Sequence, residues 1–216
     1  MTHSLNEIES LARKAARGAG YSWGLAEEAG KSVRFLCAAG LPGAEALAGW
    51  LTKNDGSEYR AHCPECSGDD WRAPGGVLCP LITGAALCDR AAMLTPGDTI
   101  TLGPTAYPVL LIPAVASASD LSGAGLTLAW PGVTVARTGR ETWLNADPSA
   151  LNTPRVEQLT LTVADTRAGS RLRRGYRGCL PEGPADILNR FAHRTYAPET
   201  EESRLAGAGA GLTDND

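Results

Sequence analysis

No long apolar run occurs in this chain. The longest, Val109 to Ala116, is interrupted by Pro113 and falls far short of the roughly 20 residues that a membrane-spanning helix needs. The opening MTHSLNEIESLARKAARGAG lacks a cationic stretch leading into an apolar core and a cleavage site, so a secretory signal is not expected. A basic excess is missing too. The formal net charge is −4 and the pI is near 5.5, whereas proteins that grip phosphate backbones carry a surplus of Lys and Arg. Neither nucleic acid nor a membrane is an expected partner, and the default is a soluble cytoplasmic protein. In that compartment the six cysteines are expected as thiols, with metal binding, catalysis or burial ahead of disulfides. No repeat period, phosphate-loop motif or dinucleotide fingerprint appears. Gly207, Gly209 and Gly211 alternate, but no strand precedes them and no helix can follow.

What is present is enough apolar content for a core. The hydrophobic share is 43% over 216 residues, which suits one domain. Ser4 and Glu7 have the S-x-x-E spacing of a capping box, and Leu5, Ile8, Leu11, Ala12, Ala15 and Ala19 then line one helical face. Ser22 is placed to cap a second helix to about Ala39, and a third follows Pro42, over about Gly43 to Leu51. A polar loop from Thr52 to Leu78 leads to a small-residue helix over about Pro80 to Met93. Strand patterns follow: Asp98 to Leu102, the apolar run Tyr107 to Val115, LTLAW and VTVAR around Pro131-Gly132, Thr142 to Leu144, and Val156 to Val163. A last helix is expected over Pro184 to Arg194. Helices, then strands, then a helix, without regular alternation, indicate an α+β fold: an N-terminal helical subdomain on a mostly antiparallel sheet. A single domain 1–216 is expected. Its parts are 1–95, mainly helical with a cysteine-containing loop; 96–165, the β part; and 166–216, an Arg-rich loop, a helix and a Gly-rich tail.

Four stretches carry candidate chemistry. His62, Cys63 and Cys66 present an imidazole and a CxxC pair, a donor set suited to structural zinc; the alternative is two loop thiols beside a turn. Cys79 precedes Pro80 and so falls at a helix N-cap, where free amides and the helix dipole favour a thiolate. That makes it the candidate nucleophile, set against ordinary packing of a buried cysteine. Arg167, Arg171, Arg173, Arg174 and Arg177 crowd a Gly-containing loop able to hold a carboxylate or phosphate; the alternative is a solvated loop paired with surface acids. Near the C-terminus, His193 is a candidate general acid or base, with Arg194, Tyr196, Ser203 and Arg204 as binding groups; a helix end also carries His and Arg merely to complement its dipole. Lys31 pairs with Glu27 at helical spacing, an ordinary surface pair. The tail TEESRLAGAGAGLTDND is expected to be ordered to about Leu212 and to face the arginine loop.

The opening SLNEIESLARKAARGAGYSWGLAEEAGK and the close FAHRTYAPETEESRLAGAGAGLTDND resemble an uncharacterised bacterial family, a domain of unknown function of about this length. The segment CPL-x-x-G at Cys79 is similar as well. The resemblance implies a full-length, self-contained domain and brings no activity, cofactor or catalytic residue. Function then stands between three readings. One is an enzyme or enzyme subunit acting on a small anionic metabolite. Another is a non-catalytic accessory protein that meets a protein partner, or a second copy of itself, through the arginine loop and tail. The third is a zinc-stabilised binding module.

Overall fold

Ser4 decides where the first helix begins. In the computed structural model, which describes residues 2–196, Ser4 Oγ accepts from the Glu7 amide at 3.2 Å, and Glu7 Oε2 accepts from the Ser4 amide at 2.8 Å. The strand β1 (Thr2–Ser4) ends there and α1 (Leu5–Gly18) starts. Its buried residues Ile8, Ala12, Ala15 and Ala16 form one stripe, small enough for a neighbour to approach closely. That neighbour is α2 (Trp23–Ala38), capped by the Ser22 hydroxyl. At Gly30 the two backbones nearly touch: a Cβ there would lie 2.9 Å from the Glu9 carbonyl oxygen. The helix α3 (Gly43–Lys53) completes the N-terminal helical layer.

The polar stretch after α3 contains more order than expected. It holds a hairpin, β2 (Glu65–Ser67) and β3 (Asp70–Arg72), because Trp71 is fully buried and anchors it to the core. After it come α4 (Pro80–Asp89), β4 (Thr99–Leu102) and β5 (Thr105–Ala106). The expected strand over Tyr107 to Val115 is replaced by a 3-10 turn, Pro108–Leu111, running into α5 (Ile112–Ser122). A short apolar run has no period that separates strand from helix. Pro108 and Pro113 decide it: each lies in the first turn of its helical segment, where a missing N–H costs nothing, whereas a ladder would lose a bond.

The remaining strands are β6 (Leu126–Trp130), β7 (Val133–Thr138) and β8 (Glu141–Ala146). Then follow α6 (Pro148–Leu151), β9 (Arg155–Val156), β10 (Leu159–Val163), β11 (Ser170–Arg171), β12 (Arg177–Cys179) and α7 (Glu182–His193). The main sheet has the order β11-β8-β7-β6-β10-β4-β3-β2, antiparallel throughout except for β3 beside β4. Two small sheets, β1-β12 and β5-β9, accompany it, and β12 packs against α1 and α2. In β6 and β10 the residues Leu126, Leu128, Trp130, Leu159, Leu161 and Val163 are buried on one face, and Thr127, Ala129, Thr160 and Thr162 alternate on the other. The helices α4 and α5 pack together, and α5 also lies against β6 and β7. The fold is α+β, as expected. No helix among the described residues is long and apolar enough to cross a membrane.

Candidate functional site

Between α2, α4, α5, the β7–β8 hairpin and residues 171–176 lies an open cleft of about 1270 Å³. Its charged lining is unlike the chain as a whole. Lys31, Arg34, Arg137, Arg140, Arg171, Arg173 and Arg174 face it, against the carboxylates Glu28, Asp89, Asp120 and Glu141. Seven cations against four acids leave three positive charges in excess there, on a protein of net charge −4.

Most of these cations are occupied. Arg137 is almost buried, with 9% of its side chain exposed. Its Nη2 donates to both Asp120 oxygens, at 2.7 and 3.0 Å, while Nη1 donates to the Arg140 carbonyl at 2.7 Å and to Thr142 Oγ1 at 3.2 Å. Arg137 is thus a brace that joins α5 to the hairpin. Lys31 donates to Glu28 at 2.7 Å, which raises its pKa further. Arg34 is held by Glu9 at 2.7 Å and Asn6 at 2.6 Å, and Arg171 pairs with Glu141 at 3.0 Å.

Arg140, Arg173 and Arg174 have no carboxylate partner among the described residues. The last two sit on a strap fixed at both ends by backbone bonds. The Leu172 amide donates to the Thr142 carbonyl and the Gly175 amide to the Ala38 carbonyl, each at 2.7 Å. The Arg174 guanidinium lies over the Phe35 ring, 4.9 Å from its centroid. Stacking of this kind holds a guanidinium plane while its N–H edges stay available to an acceptor.

The other expected site residues are dispersed. Arg177 donates to the Thr2 carbonyl at 2.9 Å and serves the β1-β12 pair, and Arg167 lies over Trp143. Arg194 grips Asp55 with two bonds, at 2.6 and 2.8 Å. His193 is exposed at the end of α7 and meets Tyr196 edge-on at 5.3 Å. None of these lines the cleft. Ser203, Arg204 and the rest of the tail lie outside the described residues.

Cys79 does occupy the N-cap of α4, but its thiol is sealed in the core rather than presented to the cleft. It has no solvent-exposed surface, and burial pushes its pKa up to about 11, outweighing the opposing pull of the Tyr21 hydroxyl and the Ile82 and Leu81 amides. Tyr21 Oη lies 3.4 Å from Cys79 Sγ and accepts from Trp50 Nε1 at 2.6 Å. The group reads as a satisfied polar knot in the core. The proposed zinc donors also turn inward or toward the backbone. His62 Nδ1 donates to the Val77 carbonyl at 2.9 Å and the ring meets Trp50 edge-on. Cys63 Sγ faces the Tyr59 carbonyl at 3.4 Å, and Cys66 Sγ the Pro64 carbonyl at 3.9 Å. Among the described residues no group of three or more His, Cys, Asp or Glu side chains is placed to hold a metal ion.

The sequence reading located the strap but not the opposite walls. Lys31 had the spacing of an ordinary surface pair with Glu27, although its partner is Glu28, and nothing in the sequence singled out Arg34. A signal for Arg137 was present: it follows Val133 and Val135 in period two, the inward register of a half-buried strand.

Residues 3–79 match the model of a family described as protein of unknown function (DUF3726). The matched span runs from β1 through β3 and ends at Cys79, so it includes the α2 wall of the cleft but not the arginine strap. No curated protein and no solved structure matches the chain.

Proposed function

We propose that this protein binds an anionic ligand in the cleft, with Arg173 and Arg174 as anchors and Arg140 as a further cationic contact. One observation carries the reading: two guanidiniums without an acidic partner among the described residues, on a strap pinned at both ends, at the edge of a large cleft. A pinned strap loses little further entropy when an anion arrives, so more of the charge-assisted bonding appears as affinity. Cys79 is sealed in the core and His193 lies outside the cleft lining. The reading is therefore of a binding site, in an enzyme subunit or an accessory protein, and it assigns no chemistry to those two residues. We infer a cytoplasmic location as part of this reading, a compartment in which free thiols such as Cys37 and Cys79 stay reduced.

The test is a thermal-shift titration of the full chain with inorganic phosphate and small carboxylates, repeated with an Arg173→Ala/Arg174→Ala variant. A ligand at a hundredfold excess over its Kd stabilises the folded state by about 2.7 kcal/mol. Wild type should shift upward and the variant should not, while both melt alike without ligand because the two side chains are exposed. If no anion shifts the wild type, the reading is wrong.

A further inference from the structure

The α4 sequence PLITGAALCD is apolar almost all round, a pattern that belongs to a helix covered on every side. Only one side is covered by the sheet: Thr83 and Leu87 are buried and line a void of about 10 Å³ with Trp71, Ile100 and Leu161. The side toward the cleft carries Leu81, Ala85 and Cys88 at the i, i+4, i+7 spacing of one helical face; Leu81 is buried there, and Ala85 and Cys88 are half-buried. Beside it α5 presents Ala114, Ser117 and Leu121 at the spacing of one face, and Leu121 is 66% exposed. The helices meet closely, for a Cβ on Gly84 would lie 2.7 Å from Ala114 Cβ, so the two stripes form one wall. Across the cleft stand Arg173 and Arg174, with the Phe35 ring beneath the latter.

The geometry points to an amphipathic anion as the ligand: a carboxylate or phosphate head on the arginine strap, and an extended hydrocarbon body along the α4–α5 wall. The inference rests on the reading of the cleft as an anion site and adds the class of molecule. Charge alone would need only the strap. A small inorganic anion would leave the apolar wall in water and fill little of about 1270 Å³. A neutral hydrocarbon would leave the guanidiniums without an acceptor. An anion with an apolar body satisfies both walls at once, and removal of each methylene from water adds to its affinity.

A homologous series decides it. The full chain is titrated calorimetrically with acetate, butyrate, hexanoate and octanoate, with phosphate and 1-octanol as controls. Affinity should rise steadily with chain length, up to roughly fourfold per methylene, and octanoate should bind far more tightly than octanol. A series as weak at octanoate as at acetate, with phosphate still binding, overturns the amphipathic assignment and leaves the anion site standing. Octanol binding as tightly as octanoate overturns it as well. Absence of binding by every anion removes the anion site itself and this inference with it. Ser117→Asp, at an exposed position on the apolar wall, should weaken octanoate at least tenfold while phosphate affinity is kept. Equal octanoate affinity in this variant and wild type would place the hydrocarbon elsewhere and overturn the proposal.

Discussion

At Cys79 two effects of opposite sign act on one sulfur. The helix N-terminus supplies amides and a dipole that favour the thiolate, and the core denies that thiolate its hydration. Burial wins, and it also raises Cys37 and Cys88 from the ordinary 9.0 to about 11. The first effect is local and could be read from Cys79-Pro80. The second depends on core packing by residues far away in sequence, and no spacing reveals it. A thiol with a raised folded pKa keeps its proton longer when folded than when unfolded. Its contribution to stability is complete below about pH 9 and disappears as the pH climbs through about 11. Melting temperature should therefore fall over that alkaline window, and less steeply in Cys79→Ser, whose hydroxyl does not titrate there. Superimposable curves for the two proteins would remove Cys79 from the account. In the same native protein a thiol reagent at neutral pH should reach exposed Cys179 quickly and buried Cys79 only after unfolding.

The helix α2 contains two glycines for which one substitution should act in opposite directions. A methyl on Gly30 would meet the Glu9 carbonyl at 2.9 Å and Arg13 Cβ at 3.2 Å, so α1 and α2 would have to part. Gly30→Ala should cost about 1–3 kcal/mol in urea unfolding. Gly24, exposed in the first turn, has nothing within 4 Å of such a methyl. Gly24→Ala should gain about 0.5 kcal/mol from reduced unfolded-state entropy. Equal effects at the two sites would mean that the close helix crossing contributes nothing. Elements whose causes are local in sequence were legible: the Ser4–Glu7 box starting α1, the Ser22 cap of α2, and the Pro131-Gly132 turn that pairs Trp130 with Val133. Those fixed by tertiary contact were not. The strand β3 exists because Trp71 is wanted in the core, and a polar stretch around it hides that need. The run from Tyr107 to Val115 is apolar on every side, so only its prolines distinguished α5 from a strand.

Over the whole molecule, the cleft is built from chain segments that meet only once the sheet and both helical groups are in place. Half of it was visible beforehand as a cluster of arginines; the Phe35 platform, the Arg137 brace and the apolar wall became visible only on folding. What turns that cluster into a site is the strap, which spans from the sheet at Thr142 to the end of α2 at Ala38. Its two ends thereby report the relative placement of the sheet and the N-terminal helices to Arg173 and Arg174. Gly175→Pro removes the amide that bonds to Ala38 and leaves both guanidiniums in the chain. The net value of one such bond is about 1 kcal/mol, so phosphate affinity should fall about fivefold. The same bond is present without ligand, so the ligand-free melting temperature should fall as well, by about 2–4 °C. Binding would also become more salt-sensitive, because a loosened arginine interacts through longer, better-screened contacts. Unchanged affinity in this variant would show that the arginines act as free surface charges, and the fixed strap would lose its role in binding.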